Sequence, residues 1–123
     1  MRTVKRRNME QSLVDYQSAV ADLDNDTDLY KELLDCWFAE VQFDTNALDN
    51  LIAQNQHADA ASYVHRMKGA AGSLGAHELF RTAQKVEDIL RGKAAENLAA
   101  NVQLLYDVYK STNEQFKAIR KSL

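Results

Sequence analysis

TDLYKELLDCWFAEVQFDTNALDNLIAQN, residues 27–55, is the stretch whose periodicity decides the fold. Tyr30, Leu33, Leu34, Trp37, Val41, Leu48, Leu51 and Ile52 recur at spacings that put apolar side chains on one face of a helix. Thr27 is placed to cap the first turn, and Asp28 suits the positive end of the helix dipole. Taken as a single element, the stretch predicts a helix roughly 40 Å long, from a rise of about 1.5 Å per residue.

Proline is absent and all four glycines fall between positions 69 and 92, so most of the chain is free to form uninterrupted helices. Upstream, residues 9–21 carry Leu13, Tyr16 and Val20 at helical spacing and run into Asp22-Leu23-Asp24-Asn25-Asp26, which ends a short helix. Downstream, a helix over residues 59–74 meets Gly75 as a left-handed C-cap. Residues 77–91 align Leu79, Ala83, Val86 and Leu90 before Gly92, and residues 94–121 align Leu98, Val102, Leu105, Val108, Tyr109, Phe116 and Ile119. No alternating strand, internal repeat or low-complexity segment interrupts this pattern. The fold expected is all-α, an up-down-up-down antiparallel four-helix bundle with an additional short N-terminal capping helix.

A chain of 123 residues, 46% hydrophobic, suits one compact domain, expected over residues 9–123. Arg2, Lys5, Arg6 and Arg7 mark residues 1–8 as a basic flexible tail. A net charge of -3 speaks against a nucleic-acid or anionic-membrane surface. Asn8, Glu10, Gln11 and Ser12 break the apolar run that a secretory signal needs, and no segment approaches the roughly 20 apolar residues of a membrane span. The single cysteine, Cys36, has no internal disulfide partner, which agrees with a cytoplasmic location, and it is expected as a small core residue. A monomer is expected. The initial methionine leans toward a free-standing protein rather than an excised domain.

The chemistry concentrates in VHRMKGAAGSLG, residues 64–75. On a helical wheel Tyr63, Val64, Met67, Ala71 and Leu74 share the core face, and His65 points the other way. Relative to His65, Lys68 lies about 60° to one side, Gly69 about 40° to the other and Gly72 within about 20°; Ala58 and Ala61 fall in the same sector. Glycine inside a helix costs about 1 kcal/mol relative to alanine, so two beside an exposed histidine suggest close approach by another molecule. An unperturbed imidazole titrates near about 6.5 and is a competent nucleophile at neutral pH. A phosphoryl group on it would add up to about two negative charges, within reach of Lys68 as a mobile point charge.

The run from His65 through Lys68, Gly69, Gly72 and Gly75 to Leu79 resembles the signature of histidine-containing phosphotransfer (HPt) domains: histidine, two residues, lysine, glycine, then a hydrophobic residue and glycine. The resemblance extends over residues 28–116 and includes Trp37 and the Val86-Glu87 pair. It implies that His65 is the phosphoacceptor, that Lys68 steadies the phosphate and that Gly69 leaves steric access. It also implies partners, namely response regulator receiver domains and a hybrid sensor histidine kinase, and no cofactor bound by this chain, Mg2+ being supplied by the receiver. Phosphate would pass from a receiver phospho-aspartate to His65 and on to another receiver aspartate. Gln84, Lys85 and Arg91 on the next helix are candidates to assist, and Phe38, Ala61 and Gly72 are expected on the partner-binding surface.

Rival classes fare worse on the residues. A histidine kinase would need a glycine-rich nucleotide loop and an ATP-binding domain beyond Gly92, so no autonomous kinase activity, and no enzyme in that sense, is expected. A receiver would need alternating strands and helices. A Cys36 hydrolase lacks an indicated base and oxyanion hole, and His57, His65 and His77 lack the spacing of a helical metal site, so no metal ligand is assigned. A helical adaptor without phosphoryl chemistry is the remaining alternative.

Overall fold

The computed structural model describes residues 13–123. The expected basic tail, and residues 9–12 of the predicted first helix, lie outside the described residues. Six helices and no strand occur among the described residues: α1 (Tyr16–Asp22), α2 (Thr27–Glu40), α3 (Thr45–Ala53), α4 (His57–Ser73), α5 (His77–Leu90) and α6 (Leu98–Ser122). α4 packs along α5, α5 along α6 and α3 along α4, while α2 touches both α1 and α6.

The long helix predicted over residues 27–55 is in fact two helices. Val41 to Asp44 leave helical geometry, and the Asp44 carboxylate accepts from the Asn46 amide at 2.9 Å, capping a new helix. The Tyr63 hydroxyl bridges the gap, accepting from Asp44 N at 2.7 Å and donating to Gln42 O at 3.2 Å. Phe43 would lie about 120° off Trp37 in a continuous helix. The break turns it inward, where it is buried and stacks on Tyr63 at 5.4 Å. Burial of one aromatic and replacement of the orphaned backbone bonds offset the interrupted helix.

The other boundaries shift for similar reasons. Asp26, not Thr27, caps α2 by accepting from Leu29 N at 3.0 Å. Asp15 caps α1, so Val14 and Asp15 precede the helix. Asn97 caps α6, which begins at Leu98 rather than residue 94. Gly75 takes the left-handed conformation (φ 84°) that ends α4, with Ala76 N bonded to Ala71 O and Gly75 N to Gly72 O. Its carbonyl also accepts from Asp15 N at 2.8 Å, and a methyl group at position 75 would stand 2.5 Å from Asp15 O. Gly75 therefore admits the start of α1 as well as ending α4.

The core joins Tyr30, Leu34, Trp37, Leu48, Val64, Met67, Leu74, Leu79, Val86, Leu105 and Phe116. Trp37 meets Phe116 edge-on at 5.0 Å and donates its indole N–H to Asn113 Oδ1 at 2.9 Å, which satisfies its only polar atom. Cys36, expected in the core, is exposed. No helix among the described residues is long and apolar enough to cross a membrane.

Candidate functional site

α4 runs from His57 to Ser73 because Ala60, Ala61, Val64, Met67 and Ala71 form a narrow stripe of small and medium apolar side chains that α5 can approach closely. His65 stands off that stripe with its side chain 60% exposed. Its Nδ1 faces the Glu87 carboxylate of α5, 3.2 Å from Oε1 and 3.1 Å from Oε2. Nε2 has no hydrogen-bond partner among the described residues.

Glu87 belongs to the buried face of α5, with its side chain 8% exposed. Lys68 Nζ approaches its Oε1 at 2.9 Å and Arg91 Nε its Oε2 at 3.1 Å. Burial pushes this carboxyl up, but hydrogen bonds from Lys68, Arg91 and His65 outweigh it and hold the group below the usual glutamate range. An ionised carboxylate only accepts, so the nitrogen facing it is an N–H and the neutral ring keeps its lone pair on Nε2.

Lys68, expected as a mobile charge beside His65, is instead buried. Besides Glu87 it bonds Gln84 Oε1 at 2.6 Å, and Nζ lies 5.3 Å from the centroid of the Phe80 ring. Gln84 in turn donates to Asp88 Oδ1 at 2.9 Å. The sector around His65 is thus split. On the Lys68 side α5 covers α4, whereas on the Gly69 side the helix is bare, with nothing within 4 Å of where a Gly69 side chain would start.

The residues expected at the partner face fall out differently across that split. Ala61, on the Lys68 side, is fully buried and cannot touch a partner. Gly72 is occupied from within the molecule, since a methyl there would meet Phe80 Cδ2 at 3.0 Å. Phe38 lines a groove with Tyr109, Asn113 and Lys117 of α6, on the opposite flank of α2 from the groove that Leu33, Cys36 and Glu40 share with Ala70 and Ser73 of α4. Lys85 is drawn away to Glu96 at 2.7 Å. Gln84 and Arg91 do join the cluster, through Lys68 and Glu87.

Two residues of the site were given no role by sequence reasoning, although Glu87 was noted within the Val86-Glu87 pair. Glu87 carried a usable signal, because it lies four residues after Ala83 and three before Leu90, an acid inside an apolar stripe. Phe80, 38% exposed, carried none, since its seat on Gly72 joins two different helices.

The described residues thus form a small helical domain in which a solvent-facing histidine is backed by a buried carboxylate and flanked by a bare glycine. The Hpt domain family model matches residues 32–121, and the chain belongs to that family. Hpt domains are phosphocarrier modules of two-component signalling that interact with receiver domains and kinases. No curated protein and no solved structure matches the chain.

Proposed function

We propose that this chain is a histidine phosphotransfer protein of a phosphorelay, accepting a phosphoryl group on His65 from a receiver phospho-aspartate and passing it to the aspartate of another receiver. The observation that carries this is the exposed imidazole whose Nδ1 is engaged by Glu87 while Nε2 has no bond among the described residues. Nε2 is then the reacting nitrogen, and bare Gly69 leaves room for in-line approach.

Mg2+ belongs to the receiver in this scheme, which neutralises charge on the transferring group while this chain supplies position. In this scheme the phosphoryl group always comes from a partner, with no self-phosphorylation step. Lys68 and Arg91 are the cations nearest the histidine through Glu87, and they are suited to take up phosphoryl charge as it arrives. The protein acts as a cytoplasmic monomer. Its architecture is an up-down-up-down bundle in which α2 and α3 together form one strut, supported by the ring of contacts from α3 through α4, α5 and α6 back to α2, with α1 as the cap.

The test is incubation with a panel of phosphorylated receivers, looking for acid-labile, base-stable label that the His65→Gln variant does not acquire. No transfer from any receiver would favour the adaptor alternative.

A further inference from the structure

We infer that Arg66 is the charge by which this protein selects its receiver, its guanidinium meeting a carboxylate on the rim of the receiver beside the reacting aspartate. This deepens the function proposed above and rests on receivers being the partners.

The cations around His65 differ in what they have left to offer. Lys68 and Arg91 are tied to Glu87 at 2.9 and 3.1 Å, Lys85 to Glu96 at 2.7 Å and Arg81 to Glu78. Arg66, exposed on α4, makes no ion pair among the described residues, although Glu40 lines the same furrow between α2 and α4. Its position is also the open one. On the helical wheel Ala58, Gly69, Ser62 and Ser73 fall about 20° to 80° from His65 and Arg66 about 100°, all on the side that α5 leaves bare. All five are exposed, and Arg66 is the only charged side chain in that arc.

The side chain is held ready. Its guanidinium carbon lies 5.8 Å from the centroid of the Tyr63 ring. That ring is itself fixed, stacked on buried Phe43 at 5.4 Å with its hydroxyl bonded to both Asp44 N and Gln42 O. A cation resting on a rigid aromatic loses less freedom when a partner arrives. A macromolecule that brings an aspartate to His65 covers about 800 Å², a patch roughly 16 Å in radius. Arg66 stands one residue from the centre of that patch, about 1.5 Å along the helix axis, so a docked receiver covers it. An unpaired guanidinium covered without a counter-charge would oppose docking, whereas one met by a carboxylate speeds encounter and fixes register.

Binding of receivers activated with beryllium fluoride, a stand-in for the phosphoryl group on aspartate, is measured at ionic strengths from about 0.05 to about 0.5 M. Over that range the screening length falls from about 14 to about 4 Å. Arg66→Met, which keeps an apolar cover on Tyr63 without the charge, is expected to weaken binding about 3- to 10-fold at low salt and less than about 2-fold at high salt. Arg66→Lys, which keeps the charge, is expected to stay within about 2-fold of wild type throughout. Labelling by phosphoramidate, a small donor that needs no docking surface, is expected at the wild-type rate in both variants. An Arg66→Met protein that binds like wild type at low salt overturns the inference. So does one that loses affinity equally at both salt limits or takes label slowly from phosphoramidate, since the arginine would then support the fold or the ring. A wild type that binds a receiver but takes no label counts against His65 as acceptor, and the salt dependence still decides Arg66. A wild type that binds no receiver overturns the inference together with its partner.

Discussion

The ring of Phe80 on α5 lies directly over Gly72 on α4, so that a methyl group at position 72 would stand 3.0 Å from Cδ2 and 3.3 Å from Cε2. The two glycines of the exposed helix therefore have different reasons to be small. Gly72 admits a side chain of its own protein, and Gly69 admits nothing within 4 Å.

Alanine substitution separates them. Gly69→Ala adds a methyl in open space and removes a flexible residue from a helix interior, so it should stabilise the protein by about 0.5–1 kcal/mol while slowing transfer from a receiver. Gly72→Ala should lose most of that gain, because the Phe80 ring must shift outward from Gly72 and from Lys68. Urea midpoints of the two variants check this. Equal stabilisation at both positions would mean that Phe80 yields freely.

Lys68 is as much a stability residue as a functional one. Removing it leaves the buried Glu87 carboxylate with only Arg91 and His65, so Lys68→Met should cost about 2–4 kcal/mol. Its transfer rate is interpretable only beside an unfolding curve. A loss below about 0.5 kcal/mol, the range of an ordinary surface change, would show that the pair is effectively solvated.

Acid should weaken the cluster in a defined order. The Glu87 carboxyl is held below its unfolded value, so its ionised form adds stability that is fully present above about pH 4.5 and is lost as pH falls through the lowered folded value. The stability advantage of wild type over Glu87→Gln should thus be constant near neutrality and shrink only in acid below that point. A gap that already closes near pH 6–7 would show that the Glu87 carboxyl is not held below the usual glutamate range.

Alkali acts at the other end of the core. Burial pushes the Tyr30 phenol far up, with Tyr16 adding to the shift, and its hydroxyl donates to Leu74 O at 2.8 Å. Below the ordinary tyrosine value of about 10 that contribution is complete. It is lost as pH rises beyond, because the unfolded chain ionises first. Tyr30→Phe should cost about 1 kcal/mol at neutral pH and flatten this alkaline decline, as read from denaturation midpoints across the range.

How far residues alone reveal this molecule depends on whether the deciding contact is local. Gly75 and Gly92 end their helices as expected, since a left-handed residue is a property of a few bonds. The break at Val41 to Asp44 was hidden because its apolar spacing fits an unbroken helix. What interrupts it is the Tyr63 hydroxyl, two helices away in the chain.

Periodicity and composition by themselves determined an all-helical chain with His65 outside the apolar stripe of its helix, because helical spacing is a repeat that each segment carries within it. Only the tertiary structure decided that α5 covers the Lys68 side of that histidine and leaves the Gly69 side bare. The same packing buries Ala61, seats Phe80 on Gly72 and sets Glu87 against Nδ1. A wheel drawn for one helix states which residues point together, but the angle at which a neighbouring helix lies across it is set by side chains far apart in sequence.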